Sequence, residues 1–67
     1  MILNIPRVKQ YMARRLFTVK DLADVYGCSR QRMQIILTTQ KHSVITMGKL
    51  ARALDCDVTD ILQDDES

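Results

Sequence analysis

The spacing of apolar residues between positions 19 and 37 constrains the fold of this chain more than any other feature. From Val19 to Tyr26, apolar residues recur at i, i+3, i+4 and i+7, which is the pattern of a helix with one buried face. From Met33 to Leu37, apolar residues again fall on one helical face. Residues 27–29 connect the two predicted helices. So short a turn predicts two helices that pack at a steep angle.

The residues around this connection carry the chemistry of helix ends. Thr18 precedes the first pattern and Asp21 follows three residues later, as in a capping box at a helix N-terminus. Gly27 stands where helices often end in a left-handed residue, and Ser29 can cap the next helix. Cys28 is small enough to be buried inside the turn, and we expect it there.

Three more helices are predicted outside this pair. The first runs from about Pro6, which suits a first turn, to Leu16. A polar, irregular stretch follows the third helix, and Thr46 then serves as the N-cap of the fourth. Asp57 starts a short fifth helix, and residues 64–67 form an acidic tail that we expect to be frayed.

Length and composition fit this helical organisation. The 67 residues suffice for one domain, with a core over about residues 5–63. Two glycines and one proline provide little turn chemistry for a sheet of many strands. We therefore predict an all-α fold, a compact five-helix bundle that contains a helix-turn-helix.

Several other classes of protein are disfavoured by the composition. No apolar run approaches the ~20 residues that span a bilayer, and no secretory signal precedes the domain, so we expect a cytoplasmic protein. His42 is the single histidine and Cys28 and Cys56 are far apart, so neither a metal site nor a cofactor is implied. Two buried thiols are the favoured interpretation of the cysteines, and a disulfide between them remains the alternative.

Charge is distributed unevenly along the chain. Residues 1–34 carry a net charge of +5, whereas residues 35–67 carry −3. This asymmetry favours a molecule with one basic side that suits a polyanion. Ordinary solvated helix faces explain the same pattern equally well on charge alone.

The third helix has a defined outward face, because its apolar residues fix the inward one. Arginine can bind guanine, and glutamine can bind adenine, through two hydrogen bonds each. An outward Ile35 would find an apolar partner in a thymine methyl group, although a solvated face with one exposed isoleucine is the plain alternative. The outward and flanking residues are Arg30, Gln31, Arg32, Gln34, Ile35 and Thr38.

Taken together, residues 8–62 resemble a helix-turn-helix domain of the Cro/cI type (XRE family), the five-helix fold of phage repressors and many small bacterial regulators. The joint spacing of the matching positions, without a gap, carries the resemblance. These positions are Thr18, Leu22, Ala23, Gly27, Ser29, Met33, Ile36, Leu50, Ala51, Ala53, Leu54, Val58, Ile61 and Leu62.

The resemblance implies that the third helix enters the major groove of double-stranded DNA, and that the loop after it holds the DNA backbone. The base-contacting residues are then Arg30, Gln31, Gln34 and Ile35. The backbone-contacting residues are Lys20, Ser29, Arg32, Thr38, Thr39, Gln40, Lys41, His42 and Ser43.

Three positions depart from the family pattern. Val19 stands where the family usually has a glutamine that binds phosphate, so that contact is missing or replaced by Lys20. Met12 and Leu37 replace a common arginine–glutamate pair, a change that is often neutral for stability. Thr39 stands where the loop often has glycine.

The function expected from this resemblance is a non-enzymatic transcriptional repressor. One helix covers too few base pairs for discrimination in a genome, so we expect a homodimer on a palindromic operator with half-sites about 10 base pairs apart. By resemblance, its dimer surface lies between Cys56 and Leu62. The alternative is a protein-interaction or antitoxin-like module on the same fold. RNA binding ranks lower because stacking aromatics are lacking, and the chain shows no arrangement of groups that would support catalysis.

Overall fold

The computed structural model describes residues 1–63 of the chain, so the predicted fraying of residues 64–67 lies outside the described residues. Within residues 1–63 the fold is all-helical, which confirms the predicted five-helix bundle. No helix in this range is long and apolar enough to cross a membrane. The helices are α1 (Ile5–Arg14), α2 (Val19–Tyr26), α3 (Arg30–Thr38), α4 (Val44–Ala53) and α5 (Val58–Ile61).

Helix α2 begins and ends as its sequence predicts. The Thr18 hydroxyl accepts a hydrogen bond from the Asp21 N–H at 3.1 Å, and the Asp21 carboxylate accepts one from the Thr18 N–H at 2.9 Å. Gly27 ends the helix with a left-handed φ of 97°. Ser29 then caps α3, since its hydroxyl accepts from the Arg32 N–H at 3.1 Å. The helix-turn-helix therefore occupies residues 19–38.

The prediction for the start of α4 was wrong. Ser43 is the N-cap, and α4 begins at Val44, because the Ser43 hydroxyl accepts a hydrogen bond from the Thr46 N–H at 3.2 Å. Thr46, the predicted cap, lies inside the first turn. Val44 and Ile45 are 69% and 75% exposed, and these exposed apolar residues obscured the start of the amphipathic pattern. The loop between α3 and α4 is consequently shorter than expected.

Helix α1 is displaced slightly from its predicted bounds. Asn4 caps it, with its side-chain oxygen accepting from the Arg7 N–H at 3.2 Å, and Pro6 lies in the first turn. The helix ends at Arg14, two residues before the predicted end. Leu16 has a left-handed φ of 58°, which a helix cannot continue through.

Within residues 1–63, three connections close with the same hydrogen bond. In each, an N–H donates to a carbonyl five residues earlier, as in a Schellman motif. The bonds are Phe17 to Met12 at 2.8 Å, Cys28 to Ala23 at 3.0 Å, and Cys56 to Ala51 at 3.0 Å. The left-handed residue that precedes each donor is Leu16, Gly27 or Asp55.

One apolar core holds the helices together. It includes most of the residues that the helical patterns assigned to buried faces, among them Leu22 and Met33 at 0% exposure. Val19 and Tyr26, which were also assigned to a buried face, are only partly buried and pack against the core. Both cysteines were expected to be buried, but they are only partly buried, and both are free thiols. The core residues are Leu3, Val8, Met12, Leu22, Ala23, Met33, Ile36, Leu37, Met47, Leu50, Ala51, Ala53, Leu54 and Ile61.

Residues 1–4 form an extended segment that no helical pattern predicted. Ile2 pairs antiparallel with Lys41 in the α3–α4 loop, and Leu3 pairs antiparallel with Leu62 after α5. The Leu3 side chain is completely buried. The segment therefore lies between the loop and the end of α5 and joins them through main-chain hydrogen bonds.

Candidate nucleic-acid interface

Helix α3 is held with one face inward and the opposite face in solvent. Met33, Ile36 and Leu37 anchor it, with exposures of 0%, 5% and 7%. The left-handed Gly27 and the Ser29 cap fix where it begins and in which direction it leaves the turn. These local constraints determine which side chains of α3 protrude from the molecule.

The exposed face of α3 contains every residue that was predicted to contact bases. Ile35 is 55% exposed, as are several other large apolar side chains among residues 1–63. Within residues 1–63, the side chains of the arginines and glutamines on and beside this face make no hydrogen bond or salt bridge, so their donors face solvent. These exposed polar residues are Arg30, Gln31, Arg32 and Gln34.

Two threonines predicted to contact the DNA backbone donate inside the protein instead. The Thr38 hydroxyl lies 3.0 Å from the Gln34 carbonyl and 3.1 Å from the Ile35 carbonyl. The Thr39 hydroxyl donates to the Ile35 carbonyl at 2.7 Å. Each hydroxyl has a single proton, so in this geometry neither donates to a phosphate. Both close the C-terminal turn of α3.

The imidazole of His42 also binds main-chain carbonyls at the C-terminal end of α3. Its Nε2 lies 2.9 Å from the Ile36 carbonyl and 2.6 Å from the Thr39 carbonyl. Carbonyls only accept, so Nε2 carries the proton and donates to both. The opposite nitrogen, Nδ1, would need a proton of its own to meet a phosphate oxygen.

The remaining loop residues differ in whether their side chains have a hydrogen-bond partner within the protein. Ser43 is occupied as the cap of α4 and also donates to the Thr46 hydroxyl at 3.1 Å. Gln40 and Lys41 are exposed, and neither side chain has a partner among residues 1–63. Their main chain is fixed by the N-terminal segment, since the Leu3 N–H donates to the Gln40 carbonyl at 2.7 Å.

Residues 1–4 therefore support the candidate site, because they hold the main chain of the loop. The sequence patterns did not predict this role. The Met1 carbonyl accepts from the His42 N–H at 2.9 Å, on the other side of Lys41 from the Leu3–Gln40 bond. The local signal was the apolar pair Ile2-Leu3 before the Asn4 cap. It could not reveal a partner some forty residues away.

Not all of the positive charge in the first half of the chain is available to a polyanion. Lys20, the candidate substitute at the start of α2, lies 3.4 Å from the Asp24 carboxylate one turn along the helix. Arg15 lies 3.4 Å from Asp55, which belongs to the acidic half. Both pairs are exposed and therefore contribute little to stability.

Acidic groups cluster around α5 and the turn that precedes it. Burial, together with the nearby Asp60, Asp57 and Asp55, raises the pKa of the Cys56 thiol and keeps it protonated. Hydrogen bonds from the main chain and side chain of Thr59 lower the pKa of Asp57, the N-cap of α5. Among residues 1–63 there is no group of three or more histidine, cysteine or acidic side chains that could hold a metal ion.

Comparison with known proteins identifies the family. No curated protein and no solved structure matches the chain significantly. The family model of the Cro/C1-type HTH DNA-binding domain matches residues 7–67, which is nearly the whole chain. That match agrees with the all-helical fold, the turn at Gly27 and the exposed basic and amide side chains of α3. The chain therefore belongs to the Cro/C1-type helix-turn-helix family of DNA-binding domains.

Proposed function

We propose that this protein is a transcriptional repressor that places α3 in the major groove of its operator. The observation that carries the proposal is the exposed face of α3, whose arginine and glutamine side chains are free of partners within residues 1–63. Arg30 and the two glutamines have the donor and acceptor groups for guanine and adenine edges, and Ile35 suits a thymine methyl group. Binding at a promoter would exclude other proteins from the same DNA.

The residues proposed to contact the DNA backbone divide into three groups. Gln40 and Lys41 have exposed side chains on a fixed main chain, which supports them as phosphate contacts. Ser29 and Arg32, at the start of α3, and Lys20, at the start of α2, remain part of the proposal. Thr38, Thr39 and Ser43 would first have to break the hydrogen bonds that they make inside the protein, and His42 would need a proton on Nδ1.

We propose a cytoplasmic homodimer bound to a palindromic operator. A single α3 of nine residues contacts only a few base pairs, and two copies related by a twofold axis double the length of the sequence that is recognised. The proposed dimer surface, from Cys56 to Leu62, contains partly exposed Val58 and Leu62, which a second copy would cover. Residues 7–67 match the family, so this surface lies within the matched region.

The test is selection from a randomised duplex library at two salt concentrations, with sequencing of the retained DNA. We expect a palindromic motif whose retention falls steeply with salt, since each phosphate contact releases counterions. Analytical ultracentrifugation of the protein with the selected duplex should give two protomers for each site.

Failure to enrich any motif, with binding that is weak and nearly independent of salt, would contradict the proposal. A protein-interaction or antitoxin-like module would then be the better assignment. The exposed apolar residues Val44 and Ile45, at the start of α4, are the observation that favours this second candidate.

A further inference from the structure

An open cleft of about 410 Å³ lies between α1, the start of α2 and the C-terminal half of α3. Two residues of α3 that line it, Gln34 and Thr38, also belong to the exposed face of that helix. The cleft therefore opens directly beside the proposed base-contacting surface. Its lining residues are Ile5, Lys9, Met12, Val19, Gln34, Leu37 and Thr38.

Helix geometry places this cleft on one flank of α3 and a second cleft on the other. The second cleft, of about 250 Å³, is lined by Arg32, Ile35 and Ile36 of α3 and by residues of the end of α2, the loop and α4. At about 100° per residue, Gln34 and Thr38 fall on the side of α3 opposite to Arg32 and Ile36. The exposed face lies between the two clefts.

A helix in the major groove meets one phosphate strand on each flank. An α-helix with its side chains is about 10–12 Å wide and the groove is about 12 Å wide, so the groups beside the helix face the backbone. On the side of the loop and α4, the proposed phosphate contacts come from the loop. On the other side, the wall is provided by α1 and the start of α2.

Lys9 is the cation on the α1 flank. It is exposed and has no ion-pair partner among residues 1–63, whereas Lys20 is paired with Asp24. Met12 and Val19 make this wall apolar, so the hydrocarbon stem of a lysine can lie against it while the ammonium group remains in solvent. Such support favours an extended side chain at the rim of the cleft.

We propose that Lys9 binds a DNA phosphate on the α1 side of α3, which makes α1 part of the interface. The contact compensates for Val19, whose side chain cannot bind phosphate. This inference rests on the proposed function, because it requires that α3 lie in the major groove.

The test compares Lys9→Gln with Lys49→Gln on the selected duplex over a range of salt concentrations. Lys49 is the matched control, because it is an exposed lysine whose ammonium group lies 4.7 Å from the centre of the Tyr26 ring, in a cleft between α2 and α4. Both variants lose one charge, so a general electrostatic effect is the same in each. If Lys9 binds a phosphate, only Lys9→Gln should change the salt dependence of DNA binding beyond this general effect.

For Lys9→Gln we expect the slope of log affinity against log salt to fall by about 0.9 for each protomer. The loss of affinity should then be about threefold to fourfold larger at 50 mM than at 200 mM salt for each protomer. The selected motif should stay the same, and Lys9→Arg should retain the wild-type slope. Thermal unfolding should be unchanged in the two Lys9 variants, since that side chain is exposed. Lys49→Gln should unfold at a slightly lower temperature, because it loses the cation–π contact with Tyr26.

A Lys9→Gln slope equal to that of Lys49→Gln would overturn the assignment of Lys9 and leave the proposed function intact. A changed motif would also overturn it, because Lys9 would then contact a base. If the wild-type chain bound no duplex, both the proposed function and this inference would fail.

Discussion

The molecule contains two units in which a helix, a tight turn and a second helix follow one another with the same local pattern. Residues 22–29 and residues 50–57 both begin with Leu-Ala and end with a left-handed residue, a cysteine and a helix cap. In both, the cysteine N–H donates to the alanine carbonyl at 3.0 Å. The backbone of the turn is therefore not what distinguishes the DNA-binding unit from the other.

The difference lies in the helix that follows each turn. Helix α3 has nine residues, no acidic side chain and an exposed face rich in arginine and glutamine. Helix α5 has four residues, and its cap and first turn are acidic. A turn of this kind fixes a direction in which the second helix leaves, and the length and chemistry of that helix determine what it can bind.

The largest expected effect is on affinity for DNA, which should depend on the side chains of α3 and not on those of the second unit. Arg30→Ala should weaken binding to the selected operator by about 1–3 kcal/mol, because a guanine would lose two hydrogen bonds. Repeating the library selection with this variant should show relaxed preference at one position of each half-site. Arg52→Ala, which removes an exposed arginine from α4, serves as the control and should leave the motif unchanged.

An equal loss for Arg30→Ala on all duplexes would contradict base contact. Arg30 would then be a phosphate contact, and the exposed glutamines of α3 would have to supply the discrimination between sequences.

The second prediction concerns the left-handed residue of each turn, Gly27 in the first unit and Asp55 in the second. A Cβ at Gly27 would meet no atom within 4 Å, so Gly27→Ala adds only the cost of a left-handed conformation, about 1–2 kcal/mol in the free energy of unfolding. Asp55→Gly should have the opposite sign, reduced by loss of the exposed Arg15–Asp55 pair. Urea denaturation of both variants measures the two changes.

Destabilisation by Asp55→Gly comparable with that of Gly27→Ala would contradict this account. It would mean that the carboxylate of Asp55 stabilises its turn by more than the left-handed conformation costs.

The smallest expected effect is on stability, and it concerns the N-caps of α3 and α5, each of which is the second helix of its unit. Asp57 caps α5 and its pKa in the folded state is below the ordinary 3.8, so the stability that it contributes is present above that value and is lost as pH falls through the lower, folded pKa. Ser29 caps α3 with a hydroxyl that does not titrate in this range. Asp57→Ala should therefore destabilise at neutral pH and become nearly neutral in acid.

Ser29→Ala is the matched control, with an expected cost of about 1 kcal/mol that does not vary with pH. Denaturation at several pH values, from roughly 2 to 7, compares the two variants. Parallel pH profiles for both variants would show that Asp57 does not act through its charge.

The elements that the sequence predicted correctly are those determined by neighbouring residues. Thr18, Ser29 and Asp57 each cap a helix as expected, because a cap binds an N–H two or three residues away. The protruding face of α3 follows from Gly27 and from the helical spacing of Met33 with its apolar neighbours. The predicted base-contacting residues are exposed for the same reason.

The features that were missed depend on distant residues or on a choice between equivalent neighbours. Ser43 and Thr46 are both good caps, three residues apart, and the exposed Val44-Ile45 pair left no apolar pattern to decide between them. The internal hydrogen bonds of His42 depend on how the loop folds back on α3. Leu3 is a core residue through contacts with the far end of the chain.

The position of residues 1–4 between the loop and the end of α5 has a consequence for the order of folding. Pairings between residues far apart in sequence close a long loop of chain and so tend to form late. During synthesis, α2 and α3 emerge before residues 61–63, whose main chain is needed to complete the pairing with Ile2 and Asn4. The chain of α3 and of the loop after it is therefore synthesised before the pairing of residues 1–4 with the end of α5 can be completed. In amide hydrogen exchange, the Leu3 and Asn4 amides should open together, because one displacement of the segment breaks both bonds.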